Sequence, residues 1–160
     1  MAQKICKSLN ELRNYIMDKV NEGLDEDVSK VVNDVMFDHI ARDVYDVYDP
    51  IEYSRRRNYA GLLDYRNIIH TIDGDGNLFV QNATLGKKWY REGKTYKISR
   101  NYNKPIAKVI ETGIGYDVNG WEYDGVGRPF IQNTYDELVY AKWHIKAMKD
   151  ALKRKGLNVI

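Results

Sequence analysis

The chain has 160 residues, of which 43% are hydrophobic and 30% charged, and its net charge at neutral pH is +2. This length predicts a single domain over residues 1–160, and the hydrophobic fraction is large enough to bury a core, which excludes wholesale disorder. The nearly balanced charge disfavours a dedicated nucleic-acid-binding protein with a strongly basic surface. The single cysteine, Cys6, excludes an internal disulfide framework and suits a reducing compartment.

Targeting and membrane signals are missing from the sequence. No apolar run approaches the roughly 18–20 residues of a membrane span, and residues 1–7 lack the apolar region of a signal peptide. We therefore expect a protein made in the cytoplasm of its host, without a membrane partner. Thirteen tyrosines beside three phenylalanines indicate either subunit interfaces, where tyrosine is enriched, or a core with polar edges.

Residues 8–47 are predicted to be helical. Ser8 and Glu11 form a capping-box pattern at the start. The apolar stripe that follows at spacings of three and four consists of Leu9, Leu12, Ile16 and Val20. Gly23 then either ends this helix or weakens a single long one. Beyond it the polar face, over residues 25–52, is acidic and is either a solvated surface or a docking surface for a basic partner.

The segment 51–64 is predicted to be irregular and contains three consecutive arginines between tyrosines. These residues are Tyr53, Arg55, Arg56, Arg57 and Tyr59. Such a segment can contact phosphates while its rings stack on bases, or its arginines can pair with the acidic face. We favour the pairing, because three arginines in one loop are few for a nucleic-acid interface.

A β-hairpin is predicted from two apolar runs, 67–72 and 78–83, that flank Asp-Gly-Asp-Gly-Asn at 73–77. The five central residues are similar to the start of a calcium-binding loop, but the twelfth position is Thr84 where that loop needs glutamate, so a turn is favoured. The β-sheet is expected within 67–116, including an apolar run at 106–110. Residues 85–103 are predicted to be a loop excursion.

A C-terminal helix is predicted at 134–155. Thr134 and Glu137 form a second capping box, and Gly156 occupies the position of a C-cap. The basic residues of its polar face are Lys142, Lys146, Lys149, Lys153, Arg154 and Lys155. Together these elements predict an α+β fold, in which an N-terminal helix or helix pair and a C-terminal helix pack on a small, mainly antiparallel β-sheet with long loops.

The sequence contains no recognisable catalytic or metal-binding pattern. His39, His70 and His144 lie far apart, and with one cysteine they do not form the four-ligand set of a structural zinc site. The Gly-Ile-Gly sequence at 113–115 lacks the third glycine of a dinucleotide fingerprint. We therefore expect no catalytic residues, no metal and no cofactor, and we interpret the chain as a structural protein that packs against other subunits.

Four short motifs occur in a characteristic order: Tyr-Ser-Arg-Arg at 53–56, Gly-Leu-Leu-Asp at 61–64, Ile-Glu-Thr-Gly at 110–113 and Arg-Pro-Phe at 128–130. In this order the chain resembles the small tail-completion, or head–tail joining, proteins of long-tailed bacteriophages and prophages. The resemblance implies a virion protein of the neck, a subunit of a hexameric ring between the capsid connector and the tail tube. It implies neither catalysis nor a cofactor.

The partners that the resemblance implies are further copies of the chain, the connector or stopper protein, and the tail-tube or terminator protein. DNA would pass through the ring without specific binding. We expect the subunit or partner interface to include Tyr53, Arg55, Arg56, Arg57, Glu111, Arg128, Phe130, Lys146 and Lys149. In such a ring the acidic face of one subunit can meet the basic C-terminal helix of the next.

Two alternatives to this assignment remain at the level of the sequence. One is a tail-terminator ring, which differs from the first in its partner and not in its physics. The other comes from a different class: a small DNA-binding or antitoxin-like regulator that uses the arginines at 55–57 and the basic C-terminal helix.

Overall fold

The computed structural model describes residues 5–47, 57–86, 89–92, 95–98, 105–114, 116–118, 121–123 and 125–159. Within these ranges, helices lie toward both ends of the chain, and between them lie a 3₁₀ turn (Tyr65–Asn67), three antiparallel β-hairpins and a short α-helix. This arrangement confirms the predicted α+β class.

One long helix spans Leu9 to Tyr45. It consists of α1 (Leu9–Gly23), a π-helical turn (Leu24–Val28), α2 (Ser29–His39) and a second π-helical turn (Ile40–Tyr45). The Ser8 hydroxyl accepts a hydrogen bond from the Glu11 N–H at 3.2 Å, which confirms the predicted N-cap.

Gly23 does not end the helix, because its backbone is right-handed helical with φ −70° and ψ −36°. The absence of a side chain there lets α5 (Trp143–Arg154) approach closely. A Cβ atom added at Gly23 would lie 3.1 Å from Met148 Sδ and 3.4 Å from Ala151 Cβ. Gly23 is therefore a packing position within a continuous helix, and its cost in helix propensity is offset by this close contact.

The C-terminal part is helical as expected, but it differs from the predicted single helix at 134–155. It consists of α4 (Phe130–Ala141) and α5, which are separated at Lys142 in the left-handed conformation with φ 56°. Thr134 is not an N-cap: it is buried inside α4, and its hydroxyl donates to the Phe130 carbonyl oxygen at 2.6 Å. α4 starts earlier because another residue, Glu111, provides its cap.

Strand β1 (Ile68–Ile72) pairs antiparallel with β2 (Leu78–Asn82), which confirms the predicted hairpin. In its turn the Asp73 carboxylate accepts hydrogen bonds from the backbone N–H groups of Asp75 at 3.0 Å and Asn77 at 2.9 Å. Together with the Asn77 side-chain amide, these bonds lower the pKa of Asp73. The Asp-Gly-rich stretch is thus a self-satisfied turn, as the sequence favoured.

Two further hairpins follow along the chain. β3 (Trp89–Glu92) pairs with β4 (Thr95–Ile98) inside the expected excursion at 85–103, and β5 (Tyr116–Val118) pairs with β6 (Trp121–Tyr123). The apolar run at 106–110 was expected in the sheet, but it forms the short helix α3 (Ile106–Thr112). Pro105 precedes this helix and Gly113 ends it at φ 73°, and a short apolar run between such residues suits a helix as well as a strand.

The hydrophobic core lies between the second half of the long helix, α3, α4 and the β1–β2 hairpin. Its buried members are Met36, Ile40, Val44, Leu62, Ile68, Ala107 and Phe130. Ile40 and Phe130 have no exposed surface. Toward the N-terminus of the long helix, α1 and the first π-helical turn pack against α5.

Candidate functional site

The junction between α3 and α4 contains three of the residues predicted to form an interface. The Glu111 carboxylate accepts hydrogen bonds from the backbone N–H groups of Ile131 at 2.8 Å and Gln132 at 3.0 Å, and so caps α4. The Arg128 N–H donates to the Ile110 carbonyl oxygen at 2.8 Å, and Phe130 is buried in the core. The structure therefore gives Glu111, Arg128 and Phe130 contacts within their own chain.

Glycines bring two stretches of backbone together beside this junction. The Gly125 N–H donates to the Gly113 carbonyl oxygen at 2.7 Å, and a Cβ atom on Gly113 would lie 2.0 Å from the Gly125 carbonyl oxygen. At the other end of α3, the Ile106 N–H donates to the Thr84 carbonyl oxygen at 2.9 Å, next to a bridge between Leu85 and Pro105. The β3–β4 and β5–β6 hairpins thus leave and rejoin the chain at opposite ends of α3.

The Gly-Leu-Leu-Asp motif at 61–64 is held by hydrogen bonds to a buried carboxylate. Asp64 accepts from the Ala60 N–H at 2.7 Å and from the guanidinium of Arg66 at 2.6 and 2.9 Å. The bond from Arg66 is the main reason that the pKa of Asp64 lies far below its usual range. The Gly61 carbonyl oxygen in turn accepts from Asn67 and Thr84, so this motif joins the segment to the β1–β2 hairpin.

Acidic and basic faces of the chain meet partly within one subunit. Lys155 Nζ lies 2.9 Å from Glu26 and 3.1 Å from Glu22, and Arg154 pairs with Asp27. Hydrogen bonding to Glu26 is the first cause of the raised pKa of Lys155. Arg154 and Lys155, at the end of α5, are therefore paired with acidic residues of the long helix in the same chain. Two predicted interface residues, Lys146 and Lys149, are exposed on α5.

Only one of the clustered arginines falls within the described residues. The Arg57 guanidinium lies 5.8 Å from the centroid of the Tyr45 ring, at the end of the long helix, in the range of a cation–π contact. Tyr53, Arg55 and Arg56 lie outside the described residues. The structure thus places Arg57 on an aromatic ring, and the predicted pairing of the cluster with the acidic face stays a prediction.

A buried histidine links α2 to α4, which sequence reasoning did not predict. His39 is 3% exposed; its Nδ1 lies 2.6 Å from the Asp43 carboxylate and its Nε2 lies 2.9 Å from the Glu137 carboxylate. The Asn133 side-chain amide donates to Asp43 at 2.9 Å. The spacing of His39 and Asp43 by four residues is a local signal, whereas their contacts with α4 span 98 positions for His39 and 90 positions for Asp43.

This cluster is a hydrogen-bonded network that joins α2 to α4. A catalytic general base needs one ring nitrogen directed at a substrate or nucleophile, whereas here His39 Nδ1 lies beside Asp43 and Arg42 and Nε2 lies beside Glu137. Burial raises the pKa of Asp43, but hydrogen bonds from Asn133, His39 and Arg42 outweigh it and lower the pKa overall. Within the part of the chain that the structure describes, no group of three His, Cys, Asp or Glu residues is arranged to hold a metal ion.

Two uncovered apolar helix faces form the candidate interaction surface. The α1 stripe (Leu9, Leu12, Ile16) is 38–85% exposed and, with Arg13 and Met17, lines a groove of about 250 Å³. The α4 stripe (Ile131, Tyr135, Val139) is 39–62% exposed. Large exposed side chains that recur on one side of a helix mark sites of association.

The fold and these surfaces define an α+β protein with two uncovered apolar helix faces. The YomN family model matches residues 8–154, so the chain belongs to the YomN family. It is 31% identical to the SPbeta prophage-derived protein YomN of Bacillus subtilis (strain 168) over an alignment of 124 residues. That alignment covers 76% of this chain and 73% of the relative. The chain is thus of prophage origin. No solved structure matches it.

Among the residues that the structure describes, each helix is too short or too polar to cross a bilayer.

Proposed function

We propose that this prophage-derived protein is a structural virion protein, a subunit of a ring at the phage neck that joins the capsid connector to the tail tube. The observation that carries the proposal is the pair of uncovered apolar stripes on α1 and α4. A chain that packs against copies of itself needs two such faces, and a ring repeats one contact around its axis. The prophage origin and the ordered motifs that resemble tail-completion proteins support the proposed location at the neck.

The polar clusters favour a structural role over a catalytic one. Glu111 joins α3 to α4 and His39 joins α2 to α4, while Asp64 holds the segment before β1. Their donors and acceptors are directed at the protein and not at a cleft. We therefore propose no catalytic activity and no cofactor. We also propose that the protein is made in the host cytoplasm before it enters the virion.

The contacts of the two basic residues at the end of α5 disfavour the regulator alternative. A DNA-binding helix would direct its basic residues at phosphates. Arg154 and Lys155, at the end of α5, instead contact carboxylates of the long helix. For the ring we propose that Arg55, Arg56 and Arg57 face a subunit contact and not the lumen, since a basic lumen would retain the passing DNA.

The test is to locate the protein in phage particles. After induction of the prophage, purified virions should contain the chain by mass spectrometry, and labelled antibody should mark the neck in electron micrographs. Deletion of the gene should yield full heads and complete tails that remain separate. Tails of abnormal length would instead indicate the terminator ring. Infectious, normal virions that lack the protein would contradict a structural role, and salt-sensitive binding to duplex DNA would support the regulator.

A further inference from the structure

We propose that the α1 stripe of one copy binds the α4 stripe of a second copy, so that identical chains join head to tail. This contact rests on the proposed ring in that it supplies the subunit interface. The binding partner of both stripes is therefore a second copy of this chain. The charges beside the stripes, and not only their apolar character, select this pairing.

The α1 stripe continues a line of residues that the chain already uses for helix packing. Gly23 lies seven residues beyond Ile16 on the same side of the helix and is buried against Met148 and Ala151 of α5. Toward the N-terminus, the same side becomes progressively more exposed, from 38% at Ile16 through 42% at Leu12 to 85% at Leu9. The uncovered half has therefore the shape of a helix-packing surface without its partner helix.

The charges that border the two stripes are opposite. Arg13 lines the groove and lies three residues before Ile16, so it is a neighbour of the α1 stripe on the helix surface. Asp136 lies three residues before Val139 in the same way, and its carboxylate accepts a hydrogen bond from Gln132 at 2.9 Å. When the two stripes face each other, Arg13 of one copy can lie opposite Asp136 of the next.

Pairing each stripe with itself is less favourable. An antiparallel twofold pairing of two α1 stripes brings both Arg13 side chains to the same side near its middle, because Arg13 lies between Leu9 and Ile16. The same pairing of two α4 stripes brings both Asp136 side chains together. Like charges across an interface are repulsive, whereas the mixed pairing places opposite charges together. A mixed contact is also head to tail, so it extends to a ring when the rotation closes.

The experiment uses the full chain with one variant on each stripe, Leu12→Glu and Val139→Glu, and sedimentation velocity from about 10 µM to about 1 mM, the range of weak specific contacts. The wild type should associate with increasing concentration, and each variant alone should stay monomeric. An equimolar mixture should form a dimer and nothing larger, because one intact α1 stripe and one intact α4 stripe remain. Tyr140→Glu, next to Val139 on another side of α4, is the matched control and should associate like the wild type.

The alternatives give different results. Self-association of Val139→Glu alone would overturn the proposal in favour of paired α1 stripes, and self-association of Leu12→Glu alone would overturn it in favour of paired α4 stripes. A wild type that is monomeric throughout would also overturn it, while the particle location would still decide the neck role. Circular dichroism checks that each variant is folded.

The charge pair has its own test. Arg13→Glu and Asp136→Arg should each weaken wild-type association by up to about fivefold at low salt, as expected for an exposed pair, and the double variant should recover it. A double variant weaker than both single variants would contradict the assigned contact of Arg13 with Asp136.

Discussion

The two halves of the long helix have similar apolar patterns and different surroundings. In the second half, Met36, Ile40 and Val44 recur at spacings of four and are buried against α3, α4 and the β1–β2 hairpin. In the first half, Leu9, Leu12 and Ile16 recur at spacings of three and four and stay exposed. A periodic apolar pattern therefore indicates a packing face, but it does not say whether the partner lies in the same chain.

The largest expected effect is the difference in the free energy of unfolding between a substitution in the buried half and one in the exposed half. Ile40→Ala should lower the free energy of unfolding by about 2–5 kcal/mol, because it removes a fully buried side chain and leaves a cavity. Leu9→Ala should change it by less than about 0.5 kcal/mol, since Leu9 is exposed in the single chain. Urea denaturation of dilute, monomeric protein measures both. Equal losses would show that the first half is buried in the isolated chain.

The boundary between the halves is Gly23, where α5 approaches the helix. Gly23→Leu should destabilise the protein by about 1–3 kcal/mol, because the larger side chain must displace Met148 and Ala151. Asn14→Leu, at an exposed position of α1, is the matched control for the added helix propensity and should not destabilise. The same denaturation measurement applies, and a Gly23→Leu protein as stable as the wild type would contradict the close packing of α1 on α5.

Within the buried half, the carboxylate of Asp43 should make the free energy of unfolding depend on pH in the acid range. Because hydrogen bonds hold its pKa in the folded protein below the ordinary value of about 4, the unfolded state binds more protons in this range. Its contribution is complete above the ordinary pKa and is lost as pH falls toward the lower folded value. Asp43→Asn should therefore cost about 1 kcal/mol at pH 7, the scale of one net hydrogen bond, and less at pH 3.

Stability curves of the wild type and Asp43→Asn between pH 7 and pH 3 provide the measurement. Asp38→Asn, an exposed position on the same helix, is the control and should follow the wild type. A difference between wild type and Asp43→Asn that grows on acidification would contradict the lowered pKa.

The same contrast between local and distant contacts explains how far the sequence predicts the fold. The N-cap at Ser8 and the hairpin turn at 73–77 depend on residues up to four positions apart, and both predictions are confirmed. The capping-box pattern at Thr134 was misleading, because the carboxylate that caps α4 comes from Glu111, 20 positions before the Ile131 N–H that it accepts. Where a distant residue supplies a contact, local spacing does not identify it.

The candidate surface was predicted in the same uneven way. The resemblance placed Phe130 and Glu111 at an interface, whereas the structure buries Phe130 in the core and makes Glu111 a helix cap, since the sequence does not show which residues the chain itself covers. A partner contact of either residue stays a prediction. The α4 stripe was missed because the predicted helix started at residue 134 and so excluded Ile131. The His39 cluster was missed because Glu137 was assigned to a cap.

The smallest expected effect concerns the ion pairs at the covered end of α1. Lys155→Ala should destabilise only slightly, because the side chains of its two carboxylate partners, Glu22 and Glu26, are 42% and 62% exposed and keep their hydration when the ammonium is removed. The loss should shrink further as salt rises from about 0.05 M to about 0.5 M, since screening weakens exposed pairs. Denaturation midpoints of wild type and variant at both salt concentrations measure it, with Lys149→Ala as control. A loss that is large and independent of salt would show that Lys155 acts mainly through packing of its apolar stem against the long helix. The negative charges of Glu22 and Glu26 would then remain available to a neighbouring subunit.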